Sequence, residues 1–463
     1  MPSALHHLQC IFPRLATGLP ALACAGLLGC AQFQPLPLAE GSGAADAGAL
    51  TVDLARMPVP ELRQHRFDPA DGLDVTETAM LAVANSPALR AQRAAVGIAR
   101  AQAFAAGLLP DPQLGLETNR AMGNTAGLVP GFNLGLSWDL ASVLQRPAAR
   151  AAGQAEAAQA NLNLLWMEWQ TIAQARQLFL QVQSLRRQHG QLVQELQAVQ
   201  PLADAARQAL RDGNLSRDVA ATAFNSISDA RKREGETAAA LHQAESDLRL
   251  LLGLAADAPL PLTGAAYAVD PSAAQVRAAL DNLPQRRPDL LALQAGYRAA
   301  DARLRGAIRA QFPMISLGVT RAGDTSNLQT QGITFGLTLP LFNRNRGNIA
   351  IASATRQQLK DDYEARMLAT RADVARLQAD LQSQRAQRPV LQAHAAQMEQ
   401  ARRAAETAWQ AHLLDWPTYL ALRANALAAD TDLLALSQAQ SATAIALEAL
   451  LGRTDFSPEQ PQP

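Results

Sequence analysis

Phe132-Asn133-Leu134-Gly135-Leu136-Ser137-Trp138-Asp139-Leu140 alternates large apolar side chains with small or polar ones, and Ile333-Thr334-Phe335-Gly336-Leu337-Thr338-Leu339 repeats the pattern. Successive side chains of a strand point to opposite faces, so a strict period of two predicts strands with one apolar and one polar face. Each has an upstream partner, Leu114-Gly115-Leu116 and Ile315-Ser316-Leu317-Gly318-Val319, across turn-forming stretches at 123–131 and 323–327. The hairpins are placed at 113–140 and 314–342. Runs of about nine to ten alternating residues suit strands that cross an outer membrane at a tilt. Two soluble hairpins packed on a helix would alternate in the same way. Four strands cannot close a barrel, and an open edge in lipid leaves backbone groups unsatisfied. If the hairpins span a membrane, several chains must pool their strands.

Each hairpin leads into a helical pattern of unusual length. Residues 141–211 contain no strong stop except Pro201. At 1.5 Å per residue they predict a helix on the order of 105 Å long. An apolar seam runs from Leu165 through Trp169, Ile172, Phe179, Val182, Leu192 and Val199 to Leu210, with His189 its one polar member. Its step of about 3.5 residues is the period of a left-handed supercoil. A second long helix is expected over 344–412, with Pro389 kinking or breaking it. The shorter helices at 74–108 and 216–252 together match about one long helix, so stacked end to end they could run beside it.

The same order of elements occurs twice. Ser86-Pro87-Ala88-Leu89 corresponds to Arg287-Pro288-Asp289-Leu290, Leu109-Pro110 to Phe312-Pro313, and Leu251-Leu252-Gly253 to Leu450-Leu451-Gly452. The period near two hundred residues indicates an internal duplication. It places a first repeat at 73–254, with its return helix at 216–252, and a second at 285–453, with its return helix at 416–451. Residues 255–284 link them. A Gly-, Ala- and Pro-rich stretch at 30–72 reads as an extended tether, and 454–463 as a disordered tail.

Composition sets the compartment and removes several functions. Leu15 to Leu28 is apolar, too short to span a membrane and about right for a signal-peptide core over 1–29. Leu27-Leu28-Gly29-Cys30 resembles a bacterial lipobox, in which Cys30 becomes the lipidated first residue; ordinary signal cleavage beside a coincidental cysteine is the alternative. Ala31 stands where an Asp often retains lipoproteins at the inner membrane, so the outer membrane is expected. Cys10, Cys24 and Cys30 are the only cysteines, so a chain cleaved before Cys30 has no disulfide framework or thiol nucleophile. Basic and acidic residues balance at 41 each, and no global positive charge points to nucleic acid. The seven histidines at 6, 7, 65, 189, 242, 394 and 412 do not fall at metal-ligand spacing in the mature chain. Phosphate-loop and nucleophile-elbow motifs are absent, so no enzyme and no cofactor beyond the covalent lipid on Cys30 are expected.

Arg287-Pro288-Asp289-Leu290 before an Ala-rich helix, Phe312-Pro313 opening the strands and Leu339-Pro340-Leu341-Phe342 closing them resemble the TolC-like outer-membrane factor family, lipoprotein subgroup. The resemblance covers roughly residues 74–453. It implies a mainly helical chain with a small β part and an internal duplication. Three copies would form a 12-stranded β-barrel continued by a 12-helix coiled-coil α-barrel through the periplasm. It also implies an exit duct of a tripartite efflux pump or a type I protein secretion system, joined by a periplasmic adaptor to an inner-membrane transporter. A coiled-coil structural lipoprotein without a channel is the competing reading.

In that family the adaptor docks at a helix–turn–helix tip. Asp212-Gly213-Asn214-Leu215-Ser216-Arg217-Asp218-Val219 fits, making Gly213, Asn214 and Leu215 candidate contacts. The corresponding turn, His412-Leu413-Leu414-Asp415-Trp416-Pro417-Thr418, adds Leu413 and Leu414. There Leu413 is read in place of the expected glycine, and Tyr419 in place of the acid. Asp218 matches an acidic constriction, where a ring of carboxylates would narrow a pore and favour cations; Asp415 is a second candidate. An ordinary solvated acid in a first helical turn is the alternative reading of Asp218.

Overall fold

The computed structural model describes residues 33–38, 46–120, 122, 127–264 and 271–452. Residues 33–38 belong to a unit ending at Ser42; they carry no helix or strand and are exposed. The second unit, from Gly43, holds every element named below. The signal peptide at 1–29, Cys30 and the tail at 454–463 lie outside the described residues.

In chain order the elements are α1 (Pro60–Gln64), α2 (Val75–Asn85), α3 (Pro87–Ala105), β1 (Gln113–Asn119), β2 (Gly131–Asp139), α4 (Leu140–Arg211), α5 (Arg217–Leu252), α6 (Ala273–Asp281), α7 (Leu283–Arg286), α8 (Pro288–Arg309), β3 (Met314–Gly323), β4 (Gln329–Thr338), α9 (Arg346–Gln410) and α10 (Trp416–Leu451). The fold is mainly helical with one small sheet, and each half runs through helix, hairpin, long helix and return helix. α4 has 72 residues and α9 has 65, so α4 is about 108 Å long.

Side-chain contacts fix how the helices lie. α3 runs along the first part of α4, through Arg93 to Glu168 at 3.0 Å and Arg100 to Asn161 at 2.6 Å. α5 runs along its second part, through Arg186 to Glu245, His189 to Glu234 and Arg231 to Gln200. α8 and α10 flank α9 in the same way: Arg356 meets Asp301 and Asn345 reaches the Ala307 carbonyl, then Gln384 meets Thr443 and Arg388 meets Gln440. Each repeat is therefore two parallel columns, one continuous and one assembled from two helices. The junctions are made alike. Gly253 and Gly452 end α5 and α10 with φ of +72° and +66°, which a glycine adopts without strain. A Cβ at Gly253 would lie 2.9 Å from the Asn85 carbonyl, and one at Gly452 would lie 2.8 Å from the Trp169 ring.

The seam residues Ile172, Phe179, Val182, Leu192, Val199, Ala203 and Ala206 are buried, as a supercoil seam requires. His189 is the polar member and is matched by Glu234 at 3.0 Å.

Three local expectations are corrected. The helix expected over 74–108 is broken at Ser86, because Pro87 has no N–H and pushes its predecessor out of the helical region; Ser86 sits at φ −51°, ψ 125°. Pro201 and Pro389 interrupt neither long helix, and α4 also runs through Pro147; packing along the column outweighs one lost backbone hydrogen bond. Residues 46–72 are a packed strap of short helical turns instead of an extended tether. Met57, Val59 and Leu62 are buried with Leu73, Ile172, Val182 and Leu248 in the largest core. The stretch after α5 joins that core through Leu260, and Leu73 pairs with Leu262 in a parallel bridge.

Candidate functional site

The four strands form one antiparallel sheet in the order β1-β2-β3-β4. β2 pairs with β3, so the two hairpins of the duplication are joined edge to edge. The register carries the sequence alternation across the whole sheet. Leu114 lies opposite Leu136, Leu136 opposite Val319 and Val319 opposite Ile333. Leu116 lies opposite Leu134, and Trp138 opposite Leu317, which faces Phe335. One face thus carries an apolar belt, which gives way to Arg321 opposite Leu134 and Gln331 opposite Arg321. The other carries Gly135, Ser137, Ser316, Gly318, Thr334 and Gly336, small or hydroxylated, with Gln113, Glu117 and Asn133 adding polar side chains. The belt is uncovered: Leu116 is 72% and Ile333 78% exposed. Among the described residues the outer edges of β1 and β4 pair with no strand. An open edge beside an exposed apolar face is unstable in isolation and calls for further strands and an apolar surrounding.

At the far end of the helices the chain makes two turns of one design. Gly213 has φ +74°, with Asn214 N–H donating to the Ala209 carbonyl at 2.8 Å. His412 has φ +59°, with Leu413 N–H donating to the Ala408 carbonyl at 2.8 Å. These are equivalent helix-ending motifs, each followed by an N-cap, Ser216 accepting from Val219 N–H and Asp415 from Thr418 N–H. The geometry corrects the sequence register by one or two positions. His412, not Leu413, occupies the place of Gly213, and Leu413 matches Asn214. Asp218 is matched by Pro417, while Tyr419 matches Ala220; both of the latter are buried. The sequence does not reveal this register because the left-handed position, usually glycine, is filled by histidine.

Of the site candidates, Asn214 and Leu413 are exposed at the turn tips, Leu413 at 80%. Leu215 and Leu414 are half-buried, and Leu215 packs against the cluster of Val199, Ala203, Ile227 and Leu420. Asp218 is exposed in the first turn of α5. Asp415 is exposed but caps α10; the Thr418 hydroxyl and amide hold its carboxyl below the usual range.

A polar node that sequence reading did not find lies along the columns from the tips. Arg423 on α10 donates to Glu195 on α4 at 2.7 Å and to Glu406 on α9 at 3.3 Å, and the Tyr419 hydroxyl donates to Glu406 at 2.6 Å. Burial pulls the Arg423 pKa down, but the Glu195 partner more than compensates, holding it above its ordinary value. Tyr419 is pushed up, by burial first and by Glu406 second. Trp409 stacks on Tyr419 at 5.1 Å and meets Trp416 edge-on at 5.5 Å. Beside the node is a polar cavity of about 370 Å³ bordered by Gln191, Glu195, Glu399, Arg402 and Asp430. Tyr419 to Arg423 and Glu399 to Arg403 are helical neighbours visible in sequence; the partnership of Arg423 with Glu195 has no local signal. Among the described residues no group of side chains could hold a metal ion, and no helix is long and apolar enough to cross a membrane.

Comparison with known proteins gives the same picture. Residues 279–453 match the family model described as outer membrane efflux protein. Protein CyaE of Bordetella pertussis is 28% identical over 346 residues, 69% of this chain and 72% of that one. The cation efflux system protein CusC of Escherichia coli O6:H1 is 30% identical over 239 residues, about half of either chain at 49% and 50%. A crystal structure of CusC, from work on its folding and transmembrane channel formation, superposes with a TM-score of 0.68 at 24% identity, covering 86% of this chain and 97% of that one.

Proposed function

We propose, from the premise that this chain belongs to the outer membrane efflux protein family, that it is the passive exit duct of a tripartite efflux pump. Three copies would pool four strands each into a 12-stranded barrel, and four helical columns each into a 12-helix tube reaching through the periplasm. The observation that carries this reading is the open four-stranded sheet with one exposed, predominantly apolar face, crossed by Arg321 and Gln331 near one end. Such a sheet satisfies its edges in lipid only by closing with other copies. The small, hydroxylated face then lines the pore.

The remaining parts follow from the same reading. A lipid on Cys30 tethers the amino end at the outer membrane. The tips at Gly213, Asn214, Leu215, Leu413 and Leu414 receive a periplasmic adaptor, which joins the duct to an energised inner-membrane transporter. Asp218 supplies the carboxylate ring of a constriction, with Asp415 adding charge from its capping position. The energy comes from the transporter, and the reading assigns no enzymatic step to this chain.

The deciding measurement is on purified full-length protein. A detergent-resistant trimer that gives single-channel currents in planar bilayers is expected. A water-soluble monomer without current would overturn the reading. Cys30→Ser is expected to abolish incorporation of labelled palmitate.

A further inference from the structure

Charge is distributed unequally about the sheet. Where the helices meet it, over residues 100–112, 139–150, 303–313 and 339–350, there are eight arginines against two acids, Asp111 and Asp139. Over the strands and their outer loops, 113–138 and 314–338, two arginines face two acids, Glu117, Arg120, Arg321 and Asp324. Further down α9, over 351–380, five basic residues meet five acidic ones. The excess is therefore a band up to about three helical turns deep, in a chain whose basic and acidic residues balance overall at 41 each.

Part of the band is internally used. Arg303 pairs with Glu156, Arg305 pairs with Asp301, and Arg146 donates to the Gly107 carbonyl at 2.6 Å. Asp139 is occupied as the cap of α4. Arg150, Arg309, Arg344 and Arg346 remain exposed and have no hydrogen-bond or ion-pair partner for their guanidinium among the described residues. They stand at one level of the fold: a Cβ at Gly306, near Arg309, would lie 3.4 Å from Ala148, two residues before Arg150. A Cβ at Gly107, at the end of α3, would touch the Arg150 side chain at 3.9 Å, and Asn345, between Arg344 and Arg346, reaches the Ala307 carbonyl near Arg309. Exposed apolar side chains stand in the same band: Leu108, Leu109, Leu144, Phe312, Leu341 and Phe342. Unpaired guanidinium groups adjoining an apolar belt are complementary to phosphate above acyl chains.

We propose that this band is a binding collar for anionic phospholipid in the leaflet through which the helices leave the membrane. The inference rests on the reading of the sheet as membrane-embedded. The apolar side chains enter the acyl layer, and the four arginines hold lipid phosphates at its margin. Guanidinium forks engage phosphate oxygens in pairs, which fixes headgroups around the barrel where tube and membrane meet.

The test uses full-length protein reconstituted into phosphatidylcholine vesicles and, separately, mixed micelles of phosphatidylglycerol and phosphatidylcholine, with retained lipid measured by native mass spectrometry. Wild-type protein is expected to enter phosphatidylcholine vesicles and to retain phosphatidylglycerol about tenfold over phosphatidylcholine, a preference that weakens in high salt. The variant R150Q/R309Q/R344Q/R346Q is expected to insert equally well and to lose the preference. If it fails to insert, R344Q/R346Q is expected to reduce the preference about threefold. Wild-type insertion without any preference, as for arginines facing the water-filled lumen, would overturn the collar alone, as would a preference unchanged in the variants. Failure of wild-type protein to enter any vesicle would overturn the membrane reading and the collar with it.

Discussion

Arg423 and Glu195, 228 residues apart in the chain, meet at 2.7 Å with side-chain exposures of 11% and 14%. This pair ties the return helix of the second repeat to the long helix of the first, close to the end that carries both turns. Removing the cation leaves Glu195 poorly solvated and without its charge partner, while Glu406 keeps the Tyr419 hydroxyl. Arg423→Ala is expected to cost about 1–3 kcal/mol and, by freeing α10, to raise single-channel conductance. Unchanged conductance in planar bilayers would show that the node does not restrict the duct.

Arg287 is buried at the start of α8. Its guanidinium pairs with Asp289 at 2.7 Å, donates to Thr370 at 2.8 Å and lies 4.7 Å from the centre of the Trp166 ring. It also reaches the Leu450 carbonyl, so one side chain joins α4, α8, α9 and α10. Arg287→Ala leaves the buried Asp289 with only Arg366 at 3.6 Å as a charge partner, for an expected loss of about 3 kcal/mol. Arg287→Lys keeps the charge but not the fork and is expected to restore only part. Thermal melts of the two variants against wild type check the order.

Arg176 joins the strap to both repeats. It is 2% exposed, meets both oxygens of Glu61 at 2.9 and 2.8 Å, and contacts Glu448 at 3.1 Å. Glu61→Gln is expected to loosen residues 46–72 before the rest of the unit. Hydrogen exchange should rise in the strap while the columns stay protected; uniform protection would show that the strap is held by Met57, Val59 and Leu62 alone.

The two turns should respond oppositely to the same backbone argument. His412 carries a side chain at φ +59°, where only glycine is free of steric cost. His412→Gly is expected to stabilise by about 0.5–1 kcal/mol, and Gly213→Ala to destabilise by about 1 kcal/mol. Matched shifts of opposite sign in melting temperature are the check.

Acid should weaken the helices beside the polar cavity. Hydrogen bonds from Arg402 and then Arg403 hold the Glu399 carboxyl at about 2. An unfolded glutamate titrates near about 4.3. The folded value is depressed, so the contribution of Glu399 is complete above the unfolded value and lost as pH falls toward 2. Wild-type protein should therefore lead Glu399→Gln at neutral pH and lose that lead by about pH 2. The effect is small, because the pair is solvent-screened; melts at several pH values measure it.

Periodicity alone placed the strands, the long helices and the duplication. Alternation of Leu134, Leu136 and Trp138 reports a strand because side chains change face at every residue, and the 3.5-residue seam reports a supercoil for the same geometric reason. The first tip was legible through the family resemblance of the run from Asp212 to Val219, a short local motif. The second tip was misaligned, because His412 breaks the glycine rule that local reading depends on.

What the sequence determined by itself was whatever repeats along the chain: which residues form strand or helix, which face is apolar, and that the unit occurs twice. The tertiary structure decided what depends on distant partners: that β2 pairs with β3 to make one sheet, that the strap is packed, and that Arg423 finds Glu195 and Arg287 finds Trp166. The physical reason is range. Backbone sterics and side-chain period act within a few residues, whereas ion pairs and core contacts form between segments whose separation in sequence carries no trace of their proximity in space.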